Sequence, residues 1–152
     1  MAEFRFRAAA ALDLRRQQEN AAATTLAAAE AAWRAAEARV EEAETGRHQA
    51  QAQQSDAERR GSDIASLTWH RNWVQRLAQV IDQEREACRE KSEAVRGAEA
   101  VWREARQKRL ALERMRERAL KRFKDEERRQ EMKVIDELAR LRFLMADEQS
   151  PS

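Results

Sequence analysis

Apolar residues recur along the first third of the chain in steps of three and four. Leu12, Leu26, Trp33 and Val40 share one heptad line, and Ala8, Ala22, Ala29, Ala36, Ala43, Ala50 and Ala57 share the companion line. These are the a and d positions of a coiled coil, with alanine filling nearly all of d. Residues 4–59 contain no Pro and only Gly46, so the pattern predicts one helix over about 4–59. Punctuation comes in ERRGSDIASLTW, which predicts a turn at 60–66. Gly61 suits the position just past a helix end. Ser66 is the favoured cap of the next helix, with Ser62 and Asp63 as alternatives for an earlier start. A second helix then runs over about 67–146, followed by a disordered tail at 147–152. Val74, Ile81, Cys88, Val95, Trp102 and Phe123 form one of its lines, interrupted by Arg109 and Arg116, and Leu77, Ala98, Ala105, Leu112 and Ala119 form the other. Past Phe123 the phase shifts, and Val134, Leu138, Leu141 and Met145 continue at steps of four and three after an eleven-residue stutter.

Two long helices joined by a short turn run antiparallel, so the expected fold is all-α: a single antiparallel two-helix coiled-coil hairpin. Its core line contains Leu26, Trp33, Val40, Ile81, Val95, Trp102, Leu112 and Phe123. Facing residue numbers then have a constant sum. A sum near 138 sets Trp33 on Ala105 and Ala36 on Trp102, matching large side chains to small ones. It also sets Phe4 on Val134 and places Arg47 opposite Lys91. A register shifted by one heptad is the alternative.

The 152 residues suffice for one domain, and three Gly and one Pro are too few for a fold with many turns. The hydrophobic share of 42% is largely alanine, and the mean hydropathy is −0.93, so a sizeable globular core is not expected. Charged residues make up 38% of the chain, but the net charge is only +2. That balance, with a clear apolar period, argues against simple disorder. No stretch approaches a membrane span of about 18 apolar residues, and the opening MAEFRFRAAAALDLRR lacks the layout of a signal peptide. Cys88 is the single cysteine, so no internal disulfide can form. These features point to a cytoplasmic protein.

Against this polar background, LTWHRNWVQRLAQVI at 67–81 carries more apolar surface than one partner helix covers. Trp73 and Val80 flank the seam and predict an exposed patch, the usual mark of a binding site. Trp69, one turn before Trp73, either joins that patch or folds over the turn. A second surplus gathers Phe4 and Phe6 with Val134, Ile135, Leu138, Leu141, Phe143, Leu144 and Met145, and residues after about 138 are expected to extend past helix 1. Between them, RQKRLALERMRERALKR at 106–122 has eight basic and two acidic residues. Such a run is either a solvated face or a docking surface for an acidic protein.

Chemistry-bearing motifs are missing. His48 and His70 fit no metal-ligand spacing, Cys88 falls on a core line, and Asp136–Glu137 sits on a helix with no pocket to tune it. There is no glycine-rich phosphate loop. Neither an enzymatic activity nor a metal or cofactor is expected. The sequence pI near 9.0 permits nucleic-acid binding, but acids interleave with the bases throughout and no basic-region or zinc pattern occurs, so no nucleic-acid partner is expected.

The opening FRFRAAAALDLRRQQENAAATTLA, the middle IASLTWHRNWVQRLAQVIDQ and the closing RRQEMKVIDELARLRF resemble, in that order, the flagellar export protein FliJ family. The closing stretch is similar to the family's C-terminal pattern at Arg129, Glu131, Ile135, Asp136, Glu137 and Ala139. The resemblance implies a soluble component of the flagellar type III export apparatus, an antiparallel coiled coil similar to the central stalk of rotary ATPases. The implied partners are a hexameric export ATPase (FliI-like), a membrane export gate (FlhA-like) and export chaperones. The implied location is the cytoplasmic face of the inner membrane at the flagellar base, held there by protein partners alone. By resemblance, gate contact falls on Trp73, Leu77, Val80 and Glu84, to which the patch reading adds Trp69. On helix 1, where the family's share of that surface is partly apolar, this chain has Thr45, His48 and Ala52. The terminal end, with Phe4, Phe6, Arg129, Ile135, Leu138 and Leu141, is the expected ATPase-ring end. The equivalent stalk of a virulence injectisome shares much of the pattern, and a self-associating coiled-coil adaptor is the alternative of a different class.

Overall fold

The computed structural model describes residues 2–149. Two helices account for nearly all of them: α1, Ala9–Arg59, and α2, Ile64–Glu148. Alanine, leucine, glutamate, arginine and glutamine dominate both, and these residues lose little side-chain freedom in a helix. Thr24 and Thr25, weaker helix formers, point their hydroxyls back along α1 and donate to the carbonyls of Asn20 and Ala21 at 3.0 and 3.1 Å.

The junction follows from three residues. Gly61 takes φ +67°, the left-handed conformation that suits glycine. The amide of Ser62 then donates to Ala57 O at 3.1 Å and that of Gly61 to Glu58 O at 3.3 Å, which satisfies the last carbonyls of α1 as a Schellman motif. Asp63 caps α2, its Oδ1 accepting from the amide of Ser66 at 2.9 Å. The cap is therefore Asp63, not the favoured Ser66, and α2 starts three residues before the expected 67.

α1 begins at Ala9, five residues after the expected start. In FRFRA, Phe4, Phe6 and Ala8 are half-buried while Arg5 and Arg7 are exposed. That alternation has period two, the period of extended chain. Of the tail expected at 147–152, Asp147 and Glu148 belong to α2, and residues 150–152 lie outside the described residues.

Contacts divide the chain into two compact units, one of residues 18–105 and one of residues up to 17 together with those from 106 onward. In each, α1 and α2 run antiparallel. In the 18–105 unit the seam of α1 is a ladder of small residues: Ala22, Ala36, Ala50 and Ala57 are buried, as is Ile81 on α2. Leu26, Trp33, Val40, Val95 and Trp102 stand half-buried along the same lines, because two helices alone leave most of the large seam residues partly open. In the other unit Leu12 is buried, and Leu112 and Phe123 are half-buried.

Ion pairs fix the register. Glu44 receives Arg85 at 2.8 Å in one unit, and Glu113 receives Arg16 at 2.8 Å in the other. Both pairs have the residue sum 129 (44 with 85, 16 with 113), and all four residues occupy e positions. In an antiparallel pair, facing e positions sum two below the adjoining a–d layer, so the layers sum to 131. The register is thus one heptad away from 138, the shift held as the alternative. Two physical reasons favour it. The tight turn brings α2 back at once, so Ala57 meets Val74; a sum of 138 would match Ala57 to Ile81 and leave the first turns of α2 uncovered. Arg47 now lies across from Glu84 instead of Lys91, which exchanges a like-charge pair for opposite charges. Phe4, in the segment before α1, meets Phe123, ring centroids 5.5 Å apart, and not Val134.

Candidate functional site

Two surfaces stand out, one in each unit. The first lies beside the turn. Trp69 and Trp73, one helical turn apart on α2, stack at 6.2 Å with 15° between ring planes, and they remain 59% and 40% exposed. His70 sets its ring edge-on to Trp69 at 5.1 Å, with Nδ1 buried and without a hydrogen-bond partner. Trp69 therefore joins the exposed patch. Leu77, Val80 and Glu84 continue the stripe at steps of four, three and four, each half-buried. Glu84 lies on the seam line across from Arg47, so it terminates the patch and does not widen it. On α1, Thr45, His48 and Ala52 are exposed and polar or small. Ile64, 83% exposed at the first residue of α2, adds apolar surface that periodicity missed because it lies off both heptad lines.

The second surface is the end of α2. Residues 128–149 are all exposed. Ile135, Leu138 and Leu141 are 58%, 55% and 56% exposed, and Met132, Val134, Phe143, Leu144 and Met145 accompany them. Met132 had no place in the three–four pattern. Arg129 lies in this segment, 3.8 Å from Glu126 one turn earlier. Phe4 and Phe6 are not part of this open face. Phe4 packs on Phe123 with the guanidinium of Arg116 5.8 Å above its ring, and Phe6 is half-buried. Phe4 thereby holds the segment before α1 against α2.

Within the unit that holds the end of α2, the basic run carries an acid that is ion-paired to α1. Arg16 donates through Nη2 and Nε to one oxygen of Glu113, at 2.8 and 3.1 Å. That hydrogen-bonded guanidinium holds the Glu113 carboxyl below its ordinary value of 4.5, with Arg109 and Arg116 adding to the effect and desolvation opposing it. The basic run at 106–122 is thus partly engaged within its own unit. Cys88 is half-buried on the seam. Among the described residues, no three His, Cys, Asp or Glu side chains are grouped to hold a metal, and no helix is long and apolar enough to cross a membrane.

The sequence profile of the flagellar FliJ protein family matches residues 8–148. The chain belongs to the FliJ family. Membership makes it a component of type III protein export. No curated protein matches the chain in sequence. Among solved structures it is similar to a candidate YscO homolog, CT670 from Chlamydia trachomatis, with a TM-score of 0.54 and 17% identity over 97% of this chain and 100% of that one. At that identity the likeness speaks to fold alone.

Proposed function

We propose that this FliJ-family chain is the coiled-coil stalk of a flagellar export apparatus. It binds the hexameric export ATPase through the end of α2, promotes assembly and activity of the ring, and touches the membrane export gate through the tryptophan patch beside the turn. It also escorts export chaperones. It works at the cytoplasmic face of the inner membrane, held there by its protein partners. The observation that carries the reading is the family match over 8–148 on a chain whose exposed large apolar residues gather beside the turn and along the end of α2, with Leu14, Val101 and Met115 exposed singly elsewhere. Contiguous exposed apolar area marks protein interfaces. Stacked tryptophans supply a rigid anchor of the kind that dominates binding energy, whereas the exposed end of α2 suits enclosure by several subunits.

The family's flagellar description favours that system over an injectisome. The likeness to a YscO homolog keeps the injectisome stalk as the second reading, and neighbouring genes separate the two.

The deciding experiment is ATP hydrolysis by the cognate export ATPase with and without this chain, with native mass spectrometry on the same samples. The expected result is stimulated turnover and a ring that carries one copy. No stimulation and no complex, from a sample that is fully helical, would sink the stalk reading.

A further inference from the structure

The exposed end of α2 also carries the pattern of a second coiled coil. Val134, Leu138, Leu141 and Met145 follow at steps of four, three and four, the d, a, d and a positions of a heptad seam, and all are more than half exposed. Ile135, Leu138, Ala139 and Arg142 line a shallow groove. They lie at e, a, b and e, so the groove runs along one flank of that seam and shares Leu138 with it. Ile135 and Leu144 widen the apolar face at the flanking e and g positions.

Charge selects the occupant and its direction. Glu137 lies at g and Arg142 at e. In a parallel pair of identical helices, g of one chain faces e five residues on in the other, so Glu137 meets Arg142 of the second copy twice over. In an antiparallel pair Glu137 would face Leu144 and Arg142 would face Ile135, with no charge matched. Glu131, on the next seam position, would set two carboxylates face to face and ends the coil before Val134.

We propose that a second copy of this chain covers the end of α2, in a short parallel coiled coil spanning Val134 to Met145. The inference does not rest on the stalk reading. Where that reading holds, the two-chain form occupies the surface the ATPase ring would take, so entry into the ring requires its dissociation. Fewer than two heptads give a weak, reversible association, seen at high protein concentration.

Sedimentation equilibrium of the full chain over a concentration series tests it. The expected mass rises from 17.7 kDa toward twice that value. A Leu138→Glu/Leu141→Glu variant should stay at the single-chain mass with unchanged helicity, since both residues are exposed. Direction is read by oxidation in a Cys88→Ala background. Leu141→Cys alone should form a covalent dimer, and a mixture of Leu138→Cys and Leu141→Cys chains should give no excess of mixed product. A constant single-chain mass up to the solubility limit would overturn the proposal. So would association that survives the double glutamate variant, or mixed cross-links that outrun the Leu141→Cys homodimer.

Discussion

At Gly61 the chain reverses on one left-handed residue, and nothing lies within 4 Å of where a Cβ would stand. Substitution there meets no steric neighbour, so its cost is backbone strain alone. Gly61→Ala is expected to destabilise the fold by about 1 kcal/mol, with Gly61→Asn milder because asparagine tolerates this conformation. Thermal denaturation of the two variants side by side reads the difference; equal losses would mean that something other than φ sets the cost. Glu113 makes a different residue-scale case. Its folded value lies below the ordinary 4.5 because Arg16 donates two hydrogen bonds to the ionised form. A depressed carboxylate contributes stability above its unfolded value and loses it as pH falls through its folded value. The Tm gap between the parent chain and Glu113→Gln should therefore be present at neutral pH and close as pH drops below 4.5. A gap unchanged across that window would show that packing, not ionisation, makes the contribution.

At the scale of the elements, the heptad lines made both helices legible, and Gly61 with the capping residues after it located the turn. Two things were harder to see. The start of α1 hid in FRFRA, whose period of two is short enough to be absorbed into a helical reading. The register hid because alanine fills one line of α1: Ala36 accepts Val95 as readily as Trp102, and Ala57 accepts Val74 as readily as Ile81, so volume matching is nearly degenerate between sums of 131 and 138. What breaks the degeneracy is the tight turn and the charge facing Arg47, both visible in the sequence but weighed less than the packing. Cysteine pairs test the outcome within residues 18–105. In a Cys88→Ala background, Ala50→Cys with Ile81→Cys should oxidise readily within one chain, while Ala57→Cys with Ile81→Cys should not. The reverse result would restore the 138 register and move every layer by one heptad.

For the whole molecule, the candidate surfaces were legible as surpluses, apolar residues beyond what a two-helix seam consumes. Their membership needed the structure. Phe4 and Phe6 look like part of the terminal patch, but Phe4 packs against Phe123 and Phe6 is half-buried, and Met132 and Ile64 are open although they follow no period. Two surfaces in separate units, on a chain read as a stalk, should be separable by mutation. Trp69→Ala with Trp73→Ala removes the stacked pair, and exposure of 59% and 40% means that the fold loses little with them. This variant should lose binding to the export gate by tenfold or more, since a loss of about 1.4 kcal/mol already gives that factor and tryptophan anchors commonly carry at least 2. It should still stimulate the ATPase, because the end of α2 is untouched. Leu138→Glu with Leu141→Glu should do the opposite, abolishing stimulation and leaving gate binding intact. Pull-down on the gate's cytoplasmic domain and steady-state hydrolysis, run on both variants at matched helicity, give four readings. Loss of both activities in either variant would mean that the surfaces act as one site, and the two-ended stalk would have to be abandoned.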